Sequence, residues 1–188
     1  MNLLQLWFSK GEKMIIEAVF LSVIIGYIRK GKLSNFENIT IRYWYFIIIS
    51  QILQIIVISL NGSVIHIKED IFYWGHILSY IILLIPLIAN VRLLSMGILG
   101  IGTLLNFIPI ALNKGKMPVY LPEGINATFD KGHILSDSTT RAYILSDIIP
   151  ILKPYPLPKI ISIGDIFLLI GAFLFVQYGM LNREKKLG

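Results

Sequence analysis

The sequence predicts an all-α membrane protein, a polytopic bundle of about five transmembrane helices with one long loop outside the membrane. Hydrophobic residues make up 55% of the 188 residues and charged residues only 15%, whereas the surface of a soluble domain needs more charge. The apolar residues also collect in runs that are long enough to cross a bilayer. We therefore treat the chain as a single membrane domain and assign each run in order.

The first two predicted spans are 14–28 and 41–60. As a helix, the first run is about 22 Å long, which is short for a hydrocarbon core of about 30 Å, and it contains Glu17. The second run begins with the aromatic residues Tyr43–Phe46, and such belts mark a membrane–water interface. Met14 is an alternative start of the protein, which would leave the residues before it as an extension.

The remaining predicted spans are 71–89, 91–112 and 160–180. Because only a few residues around Asn90 separate the third run from the fourth, these two helices should form a tight antiparallel hairpin. Glycines in the last two runs predict close helix packing there: Gly97, Gly100, Gly102, Gly164 and Gly171.

The long loop comprises residues 113–159, and prolines interrupt it repeatedly. Ser138 can cap a short amphipathic helix that runs to about Ile149, with Leu145 and Ile148 on its apolar face. We expect this helix to lie on the membrane surface above the bundle.

Basic residues near the ends of the spans set the expected orientation, because cytoplasmic loops carry an excess of Lys and Arg. The excess lies on one side of the membrane: Arg29, Lys30, Lys32, Arg42, Arg92, Arg183, Lys185 and Lys186. We therefore predict a multi-pass protein of the bacterial cytoplasmic membrane. Its N-terminus and its long loop face outward, and its C-terminus faces the cytoplasm.

Several classes of partner and cofactor are excluded by composition. The absence of cysteine rules out disulfides, iron–sulfur clusters, thiolate zinc sites and cysteine nucleophiles. The net charge of +6 comes from basic residues beside apolar runs, so we predict membrane lipids and no nucleic acid as partners. His133 and Asp137 have the character of metal ligands, but two residues on a loop do not make a metal site. We predict no metal and no cofactor.

Asp165 and Asn106 are the most informative polar residues, because both fall within predicted spans. A carboxylate at the bilayer centre costs about 2–4 kcal/mol and less near an interface. Both residues lie about 8–10 Å below the outer boundary, so they can meet if their helices are neighbours. Three readings stay open: Asn106 bonds a protonated Asp165 between helices, the pair forms a ligand or catalytic site, or both face the interface without a role. His133 and Asp147 are candidates to close over such a site from the loop.

Other polar residues of the spans favour packing roles. His76 lies near the outer start of the third span, where a lone histidine is more often a hydrogen-bonded packing residue than a ligand. Ser50, Gln51 and Gln54 share one helix face, which predicts hydrogen bonds between helices.

A set of short segments resembles a known but uncharacterised family. The segments are Arg29-Lys-Gly-Lys-Leu33, Asn106, Asn113-Lys-Gly-Lys-Met-Pro-Val119, Leu145-Ser-Asp147 and Ser162-Ile-Gly-Asp165. With them, the chain from about Met14 resembles a family of five-span membrane proteins of Gram-positive bacteria, known only as a domain of unknown function. The resemblance implies a membrane location and no activity.

The last two spans carry a second resemblance. Gly97-Ile-Leu-Gly-Ile-Gly-Thr-Leu-Leu-Asn-Phe-Ile-Pro109 and Ile163-Gly-Asp165 resemble two motifs of lipoprotein signal peptidase, whose paired aspartates activate water. Asp165 matches the second aspartate, but the first falls at Pro109, which cannot share a proton. The resemblance therefore implies a retained pocket without peptidase chemistry.

We predict from these observations a non-catalytic membrane protein that holds a small amphiphilic ligand, a lipid or a peptide segment, in an outward-facing pocket. Asp165 and Asn106 form its polar floor, and Asp147 and His133 contribute from the loop. Two alternatives stay open. One is an intramembrane aspartic hydrolase that pairs Asp165 with Asp147, and the other is a structural or assembly subunit bound to a membrane-protein partner.

Overall fold

The structure is a computed structural model that describes residues 10–60, 68–122, 132–151 and 159–182. Within these residues run five α-helices: α1 Lys10–Ile28, α2 Tyr45–Leu60, α3 Glu69–Ala89, α4 Leu94–Leu112 and α5 Ile163–Leu181. By length and composition, α3, α4 and α5 can each cross a membrane, and α1 and α2 contain shorter apolar segments. The predicted class, a polytopic helical membrane protein, is confirmed.

The helices pack as a row rather than in chain order. The main contacts join α1 to α5, α5 to α4, α4 to α3 and α3 to α2, so the last helix inserts between the first and the fourth. The α3–α4 hairpin predicted from the short link is confirmed, because α3 ends at Ala89 and α4 begins at Leu94. The helix ends form two opposite sides of the bundle, and we call the side that contains this link the turn end.

The opposite side of the bundle, at the other ends of the helices, carries short strands that the sequence analysis did not predict. We call this side the sheet end. Strand β1 (Met117–Val119) pairs in parallel with β2 (His133–Leu135), and β3 (Ile149–Ile151) pairs antiparallel with β4 (Lys159–Ile161). Because β4 occupies the residues before Ile163, the last helix begins three residues later than the predicted span. Three-residue strands have no periodic pattern, so periodicity could not reveal them.

The amphipathic helix predicted from Ser138 to Ile149 is wrong, since a single 3-10 turn, Tyr143–Leu145, and β3 replace it. The cause is a side-chain turn at Asp137, whose Oδ1 accepts hydrogen bonds from the backbone N–H of Thr139 at 2.8 Å and from its hydroxyl at 2.7 Å. These bonds from Thr139 also lower the pKa of the Asp137 carboxyl. Ala142 then adopts a left-handed conformation with φ of 54°, which a helix does not allow.

Helices α4 and α5 approach closely because glycines line their contact. A Cβ atom on Gly102 would lie 2.8 Å from the carbonyl oxygen of Gly164, and one on Gly171 would lie 2.7 Å from the Leu99 side chain. Gly100 is different, because the nearest atom to its added Cβ is 3.7 Å away. The predicted tight packing is thus confirmed for Gly102, Gly164 and Gly171.

Helix α1 is joined to α5 by a polar network at mid-helix. The Ser22 hydroxyl donates to the Phe173 carbonyl at 2.9 Å, and Gln177 Nε2 donates to the Ser22 hydroxyl at 3.0 Å. Arg29 then donates to Gln177 Oε1 at 2.8 Å. The buried polar groups of Ser22 and Gln177 therefore have partners inside the protein, as a low-dielectric environment requires.

Two asparagines, one at the turn end and one at the sheet end, make the same set of three hydrogen bonds, which we call a clamp. At the C-terminus of α3, Asn90 Nδ2 donates to the carbonyls of Pro86 and Arg42 at 2.7 and 2.9 Å, and its Oδ1 accepts from the Arg42 N–H at 3.0 Å. At the C-terminus of α4, Asn113 makes the matching bonds to Pro109 and Arg141 at 2.7, 2.8 and 3.0 Å. Each clamp satisfies an end carbonyl of its helix and fastens a distant loop to it.

We predict that Gly164→Ala destabilises the protein by about 1–3 kcal/mol, because its new Cβ would overlap Asn106 and lie 2.9 Å from the Gly102 carbonyl oxygen. Thermal or denaturant unfolding in detergent measures the change. The matched control is Gly100→Ala, which has room for the methyl group and should leave stability unchanged or raise it by up to about 1 kcal/mol. Equal effects of the two variants would contradict the close α4–α5 contact.

Candidate functional site

The structure joins Asp165 and Asn106, as the sequence predicted. Asn106 Nδ2 donates to Asp165 Oδ1 at 2.8 Å, and Asn106 Oδ1 accepts from the Ser162 hydroxyl at 2.7 Å. Asn106 and Ser162 are buried, whereas Asp165 is half-buried. Both functional groups of Asn106 are therefore committed inside the protein, while Asp165 is only partly buried.

Asp165 also belongs to the N-terminal cap of α5. Its backbone N–H donates to the Ser162 hydroxyl at 2.9 Å, and its Oδ2 accepts from the Ser162 N–H at 3.1 Å, which completes a capping box. The first turn of a helix stabilises a negative charge. Ser162 was missed as a site residue, although the pattern Ser162-Ile-Gly-Asp165 is a capping signature that can be read from the sequence.

His133 and Asp147 are brought together by the short sheet. Strand β1 is central: Val119 accepts from the Ser136 N–H on the β2 side, and Pro118 accepts from the Asp147 N–H at 3.0 Å on the other side. Across β1, His133 Nε2 lies 3.7 Å from Asp147 Oδ2. Asp147 is buried and His133 is partly exposed. A protonated His133 would therefore form an ion pair with the Asp147 carboxylate.

His76 is a buried, hydrogen-bonded histidine, which confirms the packing role predicted for it. Its Nδ1 lies 2.6 Å from the Gly115 carbonyl oxygen, and its Nε2 lies 3.1 Å from Gln54 Nε2. A carbonyl can only accept, so Nδ1 carries the proton and the neutral Nε2 accepts from Gln54. These contacts hold α2, α3 and the loop after α4 together at the sheet end. Gln51, in contrast, is exposed.

Tyr80 lies beside His76 at the sheet end. Its phenol hydrogen-bonds the Gln54 side chain and lies within electrostatic range of both Asp165 and Asp147. Its ring packs against His76 and Phe107, with centroid distances of 5.5 and 5.7 Å. Tyr80 was not identified from the sequence, because an aromatic residue in an apolar span carries no signal that separates a site residue from packing.

Among the residues that the structure describes, no group of three or more His, Cys, Asp or Glu side chains could hold a metal ion. The Asp137 carboxylate accepts hydrogen bonds from Thr139 in the loop turn.

The comparisons with known proteins show the family of the chain and supply no activity. Residues 38–177 match DUF5317, a family of unknown function. The chain belongs to this family. It is also 28% identical over 162 residues to an uncharacterized protein of Thermotoga maritima, covering 84% of this chain and 87% of the relative. No solved structure matches the chain.

We predict that Asn106 and Asp165 are energetically coupled. In a double-mutant cycle of Asn106→Ala and Asp165→Ala, the coupling should be about 0.5–3 kcal/mol, since the residues share a hydrogen bond. Unfolding in detergent measures each variant.

The control cycle pairs Asn106→Ala with Ser50→Ala. The Ser50 hydroxyl bonds the Ile47 carbonyl of its own helix α2, and α2 packs mainly on α3, so these changes should add within about 0.5 kcal/mol. Additive behaviour in the first cycle would show that the Asn106–Asp165 contact does not stabilise the fold.

Proposed function

We propose that this DUF5317 protein is a non-catalytic binding protein of the membrane, and that its sheet end holds an amphiphilic ligand, a lipid or a peptide segment. One observation carries the proposal. The half-buried carboxylate of Asp165 is held in a defined orientation by Asn106 and Ser162. An ionised carboxylate can accept about four hydrogen bonds, so capacity remains for a ligand.

The chemistry around Asp165 favours a ligand with a hydrogen-bond-donating head and an apolar tail. When ionised, Asp165 and Asp147 can accept hydrogen bonds but cannot donate them. The Tyr80 phenol lies within electrostatic range of both carboxylates. Next to Asp165 along α5, Ile166 and Ile170 are exposed. These two residues lie about 100–140° around the helix from Asp165, so the tail of a ligand whose head is at Asp165 would follow this apolar flank of α5.

Hydrolytic chemistry is the weaker reading. A catalytic aspartate dyad requires two carboxyl groups that share one proton. Here each carboxylate has its own partners: Asp165 has Asn106 and Ser162, and Asp147 has His133 at 3.7 Å. Pro109, at the position of the first peptidase aspartate, is a buried helix residue without a polar side chain.

In the proposed topology the sheet end faces outward. The excess of Lys and Arg near the turn end supports this orientation, since positively charged loops are retained in the cytoplasm. A ligand would then reach Asp165 from the outer leaflet or from the outer surface.

The test is to purify the full chain from membranes in a mild detergent, extract it, and quantify by mass spectrometry the lipids and peptides that it retains. We predict that Asp165→Ala loses the retained amphiphile while insertion into the membrane is unchanged, and that Asp165→Asn retains less than the natural protein. The neutral amide keeps one acceptor oxygen but loses the charge.

The matched control is Asp70→Ala, because Asp70 is an exposed acidic residue in the first turn of α3 at the same end. It should retain the amphiphile at the natural level. Equal retention by the natural protein and both Asp165 variants, with all of them melting at similar temperatures, would rule out the proposed site.

A further inference from the structure

At the turn end, far from Asp165, the fold contains a cleft of about 510 Å³. Its walls are the segment 38–42, the link between α3 and α4, and Tyr178 near the end of α5. The Asn90 clamp joins the first two walls, through bonds of 3.0 and 2.9 Å to the Arg42 backbone. The spacing of the walls is thus set by side-chain hydrogen bonds rather than by loop packing alone.

The cleft is cationic. Arg42 and Arg92 both line it, and no acidic residue does. Glu37 is close to Arg42 in sequence but lies outside the lining. Among the described residues, no carboxylate is in an ion pair with either guanidinium. Two exposed arginines from different segments therefore face a shared space, and their charges favour an anion there.

The other half of the cleft is apolar. Ile88 and Val91 line it, with 65% and 59% of their surfaces exposed. Trp44, which is 57% exposed, immediately precedes α2 at the turn end and follows the Arg42 segment. Aromatic residues of this kind sit at the headgroup level of a bilayer, so the cleft opens where lipid headgroups are found.

We propose that this cleft binds the phosphate of an anionic phospholipid headgroup, with Arg42 and Arg92 as the phosphate ligands. Guanidinium groups form bidentate, charge-assisted hydrogen bonds with phosphate oxygens, and basic pockets between membrane helices suit such headgroups. The Tyr178 hydroxyl and the Thr40 hydroxyl are further donors in the lining. Ile88 and Val91 contact the glycerol and upper acyl region. This site is independent of the one proposed at Asp165.

The experiment uses the full chain in a neutral detergent and titrates dioleoylphosphatidylglycerol or dioleoylphosphatidylcholine while native mass spectrometry counts bound lipid. Phosphatidylglycerol should bind more tightly, because its headgroup has a net negative charge. Arg42→Gln and Arg92→Gln should each weaken its binding by about tenfold or more, the effect of losing a hydrogen bond to a charged group.

The matched control is Lys30→Asn, which removes one positive charge at the same end but outside the cleft lining. It should change the affinity by less than about twofold, as expected for an exposed charge that makes no direct contact. An equal loss in Lys30→Asn and in the arginine variants would overturn the site, since it would mean that only net charge matters. Equal binding of the two lipids would overturn it as well.

Inorganic phosphate, added up to millimolar concentration, distinguishes the source of the phosphate group. Phosphatidylglycerol that remains bound supports a lipid ligand, because the acyl contacts add to the headgroup contacts. Displacement of the lipid by phosphate alone would overturn the lipid assignment and indicate a small phosphate-bearing solute.

Discussion

The contact between α4 and α5 is the interaction on which the rest of the structure depends. It places the last helix between the first and the fourth, although these are distant in sequence. Gly102 and Gly164 allow the backbones to approach until a Cβ atom would no longer fit. At that separation Asn106 can reach both Ser162 and Asp165. Dispersion contacts and interhelical hydrogen bonds replace the hydrophobic effect here, because lipid is as apolar as the helix surface.

The ends of the helices face a second constraint, because backbone groups left unpaired near the bilayer are costly. The protein meets it with side chains. Asn90 and Asn113 each bind a proline carbonyl four residues earlier and both backbone groups of a distant arginine. Ser162 and Asp165 cap the start of α5 in a similar way. Loops that could move freely are thus fastened to the ends of the helices.

The sheet end and the turn end differ in their chemistry as a result. At the sheet end, the α4–α5 contact places Asp165 beside Asn106. The short sheet in the loop after α4 places Asp147 beside His133. At the turn end, fastening of the segment before α2 directs Arg42 and Arg92 to one cleft. The acceptor-rich sheet end suits a ligand head that donates hydrogen bonds, and the cationic turn end suits an anionic ligand head.

The sequence by itself determined the membrane class, the approximate positions of the helices and the similar depth of Asn106 and Asp165, whereas the contact of these two residues also required α4 and α5 to be neighbours. Long apolar runs and a helical rise of about 1.5 Å are local properties, so they survive whatever the neighbouring segments do. The order of the row, the strands of residues 117–161, the His133–Asp147 pair and the site residues Ser162 and Tyr80 were decided only by the tertiary structure. Each depends on backbone or side-chain partners that are distant in sequence. The predicted helix at Ser138 failed for the same reason, because Asp137 binds Thr139 and Asp147 pairs with β1 in place of helical hydrogen bonds.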